Sequence, residues 1–229
     1  LKRILQPEKV VITGILVSLI LVGIVGASAP KKTSKEIEKR VTYKKLLSSG
    51  DSFLAKRDYR SAQASFNQAS DLLPDLWVPY FMKGTIFVSQ NQFKRAEQEY
   101  RKGLEIYPDH PSLLANYGAT LAILGEIDKA ELFLRAAIRQ APNNYSSYNS
   151  LAQVYLRQQK PEKAREMLLL AITVNPIFGK GHANLAKLYV MMNDRKKAGV
   201  HLGKALELGF RDSMTESLKK ILQNPLPKL

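Results

Sequence analysis

Between Tyr43 and Asp212 the apolar residues fall at helical spacing, in runs broken by prolines and short polar turns. One small side chain sets the phase: Ala62, Ala96, Ala130, Ala164 and Ala198 stand 34 residues apart with no insertion. A large residue follows each alanine four positions later (Phe66, Tyr100, Leu134, Leu168, Leu202), and a small one three beyond that (Ala69, Gly103, Ala137, Ala171, Ala205). Twelve positions before the alanine stands Gly50, Gly84, Gly118, Ala152 or Ala186, and nine before it Phe53, Phe87, Leu121, Tyr155 or Tyr189. Pro74, Pro108, Pro142 and Pro176 close the first four units. The pattern predicts five helix pairs, at 43–76, 77–110, 111–144, 145–178 and 179–212. Antiparallel helices approach to roughly 8 Å only where the crossing residues are small, and proline ends the second helix because it lacks an amide proton. Such a pair cannot bury its apolar face alone, so it must stack on its neighbours.

These spacings resemble the tetratricopeptide repeat family, whose signature runs Trp-x2-Leu-Gly-x2-Tyr, then Ala-x3-Phe, then Pro. In the second unit the motif stands as Tyr80-x2-Lys83-Gly84-x2-Phe87, Ala96-x3-Tyr100 and Pro108, and the resemblance covers about three quarters of the chain. It implies an all-α fold, a right-handed α-solenoid of antiparallel helix pairs that binds proteins. The fifth unit departs where Phe210 replaces proline; Ser213-x-x-Glu216 then has capping-box spacing and predicts a closing helix over 213–224, with a tail at 225–229. The resemblance also places a concave groove on the first helices, at their second, fifth, sixth, ninth, twelfth and thirteenth residues. Units one to three then present Leu47, Leu54, Phe81, Met82, Thr85, Val88, Ala115, Asn116, Ala119 and Ile123, a mostly apolar half. Units four and five present Asn149, Ser150, Gln153, Arg157, Lys180, Asn184 and Lys187, amide-rich and basic, suited to an acidic segment or C-terminus of a partner. The alternative is that the apolar positions pack between units and the polar ones face water. The terminal-carboxylate clamp of chaperone-tail receptors is missing, because Asn116 is flanked by Phe81 and Thr85 before it and by Ser146 and Ser150 after it.

Ahead of the repeats, Val10 to Ala29 runs without a charge for twenty residues, roughly 30 Å of helix, and predicts one membrane-spanning helix behind a basic flank at 1–9. Ala27-Ser28-Ala29 has the form of a signal-peptidase site, but Pro30 directly after it opposes cleavage and favours a retained anchor. Gly14-x3-Ser18 and Gly23-x3-Ala27 offer places for another membrane helix to approach, although small residues are common in such helices. A basic linker, 30–42, runs into the first helix, whose start carries the capping-box spacing Thr33-x-x-Glu36. Its cations from Lys31 to Arg40 suit anionic lipid headgroups. By the flanking-charge rule they place the repeat domain on the cytoplasmic face; the chain opens on Leu1, so that count is open to residues before it.

Charge and chemistry refine this picture. Lys and Arg number 35 against 20 acids, a net +15 that favours anionic partners. Five of those charges fall in 1–42, eight spread over the units and two lie in the residues after them, while most aromatics occupy repeat positions, which disfavours nucleic acid. There is no cysteine, His110, His182 and His201 have no ligand spacing, and Gly179-Lys180-Gly181 lacks the phosphate-loop pattern. Neither catalysis, a cofactor nor a metal is expected. The sequence leads to a membrane-anchored scaffold or adaptor that gathers protein partners, or alternatively a permanent structural subunit docked through its membrane helix.

Overall fold

The computed structural model describes residues 33–223, and the predicted span with Gly14, Ser18, Gly23 and Ala27 lies outside them. Among the described residues no helix is long and apolar enough to cross a membrane. They are all-α, with eleven helices and no strand: α1 (Ser34–Ala55), α2 (Tyr59–Leu72), α3 (Val78–Ser89), α4 (Phe93–Ile106), α5 (Pro111–Leu124), α6 (Ile127–Gln140), α7 (Tyr145–Arg157), α8 (Pro161–Val174), α9 (Gly179–Met191), α10 (Arg195–Glu207) and α11 (Ser213–Gln223). Packing divides the chain into two units, residues 1–44 and 45–229, with the boundary inside α1.

In the first unit, Thr33 Oγ1 accepts the Glu36 amide at 3.3 Å, but the Glu36 carboxylate does not return to Thr33. It pairs instead with Arg40 one turn on, at 3.4 Å, so only half of the predicted capping box forms. Ile37 and Val41, apolar residues one turn apart in α1, stay about half exposed.

The second unit is built by the small-against-large rule. The five key alanines are fully buried. A Cβ added to Gly50, Gly84 or Gly118 would meet Phe66 at 2.5 Å, Tyr100 at 2.5 Å or Leu134 at 2.9 Å, so the large residue of each second helix sits on the bare backbone of its first. Within the pairs α3 lies on α4, α5 on α6, α7 on α8 and α9 on α10, and each pair stacks on the next. Each link from first to second helix turns through one left-handed residue: Arg57, Asn91, Gly125, Gln159 and Asn193, with φ of 57° to 88°. The next amide closes the turn on the carbonyl five residues back, as Gln92 does on Phe87 and Lys160 on Tyr155. At the other links the residue before proline is forced extended: Leu73, Tyr107, Ala141 and Asn175 have φ of −133° to −139°. In the fifth unit Gly209, at φ 77°, ends α10 in place of a proline.

The closing helix α11 packs Met214, Leu218 and Leu222 against the Ala186 and Leu202 cluster, whereas Ile221 remains 43% exposed. Its cap lies one residue earlier than predicted. Asp212 Oδ1 accepts the Thr215 amide at 2.8 Å and Thr215 Oγ1 accepts the Asp212 amide at 2.9 Å, so an Asp-x-x-Thr box replaces the predicted Ser213-x-x-Glu216. The Asp212 carboxylate is the stronger acceptor, and Thr215 is fully buried, a place an ionised Glu216 could not take without a partner.

A candidate protein-binding face on the first helices

The positions predicted to line a groove lie on α1, α3, α5, α7 and α9, and their surroundings divide them into packing, supporting and open groups. Leu47, Leu54 and Met82 pack, partly buried, against Ala62, Phe66 and Ile86. Phe81, Val88 and Ala115 pack against the larger core, with the Phe81 ring edge-on to Trp77 at 5.9 Å. Most of the apolar half therefore holds neighbouring units together. Ile123 is the open member, 47% exposed, and Ala119 is partly buried. Two polar members are engaged locally: the Thr85 hydroxyl donates to the Phe81 carbonyl at 3.0 Å, and the Asn116 amide to the Ser112 carbonyl at 2.9 Å.

In the basic half, Asn184 Nδ2 donates to Asn149 Oδ1 at 2.7 Å, joining α9 to α7. Asn149 is only 9% exposed, so it orients Asn184 from below and is no direct contact surface. The Arg157 guanidinium donates to the Ala122 carbonyl in the last turn of α5. Both links join residues 35 positions apart on adjacent first helices. Gln153, Lys180 and Lys187 form no hydrogen bond or ion pair with the described residues, and both lysines are exposed. Gln153 and Lys187 occupy the same position in consecutive units, so a chain crossing both meets an amide and then a cation.

Polar contacts within and between units have no mark in the repeat pattern of the sequence. Lys83, where the family pattern has leucine, is buried with its Nζ 3.0 Å from Glu99 Oε2, an ion pair out of line for a hydrogen bond, and 3.3 Å from Ser70 Oγ. Tyr117 donates to Glu97 at 3.1 Å and Tyr155 to Glu131 at 3.2 Å, two acids in the same repeat position. Burial and the Glu97 bond push the Tyr117 hydroxyl up to about 12. Partial burial pushes the Glu131 carboxyl up, but bonds from Gln158, Tyr155 and Arg135 outweigh it and hold the group below its usual value. A cation also recurs one turn into the second helix, over an aromatic of the first: Arg95 on Phe87 at 4.1 Å, Lys163 on Tyr155 at 5.7 Å and Lys197 on Tyr189 at 5.4 Å. The repeat phase was the available signal, since it aligns these residues once compared position by position.

His182 and His201 meet through their Nδ1 atoms at 3.1 Å, and His182 Nε2 lies 3.3 Å from the Pro176 carbonyl. A carbonyl only accepts, so His182 carries its proton on Nε2 and takes the bond from His201 Nδ1–H. Burial lowers both rings below the ordinary histidine range; His201 is further lowered by His182, and His182 by Lys204. His110 serves as the cap of α5, its Nδ1 accepting the Leu113 amide at 3.4 Å. Among the described residues no cluster of three or more His, Asp or Glu could hold a metal.

Two clefts lie away from the predicted groove. One, of about 430 Å³, opens between α6 and α8 over Leu151 of α7. The other, of about 530 Å³, is lined by Leu156, Gln159, Pro161, Met191 and Met192 at the turns of the fourth and fifth units.

Two tetratricopeptide repeat models match residues 87–153 and 145–178. Tetratricopeptide repeat protein 7A of Homo sapiens is 23% identical over 126 residues, which is 55% of this chain but 15% of that protein. Seven further curated relatives are likewise matched over 12% to 26% of their length. Among solved structures, PilF of Pseudomonas aeruginosa superposes with a TM-score of 0.73 at 19% identity, covering 81% of this chain and 84% of that one. YrrB, described as a tetratricopeptide repeat protein with an unusual peptide-binding site, gives 0.60 at 18% identity, covering 84% and 100%.

Proposed function

The chain belongs to the tetratricopeptide repeat family, and from that premise we propose that it is a membrane-anchored, non-enzymatic adaptor whose first-helix face recruits or assembles protein partners at the bilayer. The observation that carries this reading is the row of open polar groups on α7 and α9, where Asn184, oriented by Asn149, stands with Gln153 and Lys187. Amides both donate to and accept from an extended backbone, and the lysines match a carboxylate, so the partner is an acidic segment or C-terminus. Residues 10–29 supply the anchor, and the cations from Lys31 to Arg40 rest over anionic headgroups on the cytoplasmic face. The peptide-binding site named for YrrB supports such use of the fold.

The test is purification in a gentle detergent, from cells carrying either the native chain or Gln153→Glu with Lys187→Glu. An adaptor yields substoichiometric, exchangeable partners that the double variant loses. A stoichiometric assembly unaffected by the variant would replace this reading with that of a structural subunit held through Gly14, Ser18, Gly23 or Ala27.

A further inference from the structure

The cleft between α6 and α8 belongs to a repeated feature. A notch lined by the same repeat positions lies between α2 and α4, with α3 as its floor; it measures about 230 Å³ and holds the mutually neutralised Lys83 and Glu99. At the next junction the same two positions carry Tyr117 and Phe133, packed edge to face at 4.7 Å. Between the fourth and fifth units the second position carries His201, which bonds His182 and stacks on Tyr189 at 5.6 Å. Only between the third and fourth units does the pair become Leu151 and Met167, which are smaller than tyrosine and phenylalanine, and there about 430 Å³ stands open.

The rim of this notch is basic. Arg139 has no ion pair or hydrogen bond among the described residues, Lys163 faces only the Tyr155 ring, and Arg135 lies 3.5 Å from Glu131. Glu166 is the single acid in the lining. Apolar surface continues beyond the cleft: Leu132 precedes Arg135 on the same face of α6 and is 62% exposed, and Val174, one turn past Leu170 on α8, is 37% exposed. From Lys163 to Val174 this strip runs about 16 Å, the reach of roughly five residues of extended chain.

We propose that this notch is a second docking site, on the face opposite in sequence role to the first-helix groove, for an acidic segment of a partner protein. That segment lays large apolar side chains over Met167 and Leu170, above the buried Leu151 that floors the notch, and sets its carboxylates against Arg139 and Lys163. Its walls come from the second helices α6 and α8 and its floor from Tyr148, Leu151 and Tyr155 of α7, so the site shares no residue with Gln153, Asn184 and Lys187, and a single partner can occupy both or two partners one each.

The experiment uses the full-length chain and a display library of short peptides drawn equally from acidic, basic, apolar and small residues. Peptides selected on the native chain and mapped by competition should combine acids with Phe, Trp or Leu. Their Kd should weaken roughly tenfold or more, about 1.4 kcal/mol, in Arg139→Glu and in Leu151→Tyr with Met167→Phe, while Lys187→Glu leaves it unchanged. The double variant copies the filling at the preceding junction, so thermal unfolding should match the native chain. Peptides that bind all variants equally, or that prove basic, overturn the proposal. So does a library that yields nothing while dodecanoate binds and is lost in the double variant, which would make the notch a site for small amphiphiles. Loss confined to Lys187→Glu would leave the first-helix reading intact and remove this one.

Discussion

At the scale of single residues, the left-handed turn position separates backbone from packing. Gly125 has φ 88° and open space around a would-be Cβ, so Gly125→Ala should cost about 1 kcal/mol from backbone strain alone, measured by denaturant unfolding. Gly203 lies inside α10 with equally open space and ordinary φ, so Gly203→Ala should stabilise by roughly 0.5–1 kcal/mol. The histidine pair gives a pH dependence with a definite sign. Burial lowers His182 and His201 in the folded chain, so the unfolded chain binds more protons once pH falls below about 6.5. Their contribution is complete above that pH and lost as pH falls through the folded values. The melting temperature should therefore drop on acidification, and His182→Phe should flatten that drop; an unchanged slope would show that the pair does not titrate. The buried ion pair is similar in logic. Lys83→Met should cost about 3 kcal/mol because the buried Oε2 of Glu99 loses its cation while Lys102 reaches only Oε1, whereas Lys83→Leu with Glu99→Leu should be near neutral.

At the scale of elements, the sequence made the helix pairs legible because their constraints are steric and repeat: a missing Cβ at Gly50 or Gly84 has one partner, the large residue opposite. Caps were less legible because several polar residues compete within one turn. The spacing Ser213-x-x-Glu216 is a sound capping signal, yet Asp212 and Thr215 satisfy each other's amides one position earlier. Asp212→Ala should therefore cost about 1 kcal/mol and Ser213→Ala little, a contrast that thermal unfolding can read. The groove was legible only as positions. Which of them are open depends on contacts between units, such as Arg157 with Ala122 or Asn184 with Asn149, and no single unit's sequence contains both partners. For the same reason no single unit's sequence marks the notch over Leu151 and Met167, which is defined by contrast with the filled Tyr117 and Phe133 junction before it.

At the scale of the whole molecule, the stack presents two kinds of surface built from one repeat: first-helix positions bearing amides and lysines, and a second-helix notch bearing arginine and leucine. A net charge of +15 biases both toward acidic partners, and screening by salt should weaken either association. The central claim, recruitment of a protein through the first-helix face, is tested most directly by photocrosslinking in native membranes, with a photoreactive residue at Gln153 or Lys187 and another at Gly23. The account predicts a discrete crosslink from Gln153 and Lys187 to one partner, diminished by raised salt. Crosslinks from Gly23 alone, with Gln153 and Lys187 meeting only water, would contradict it.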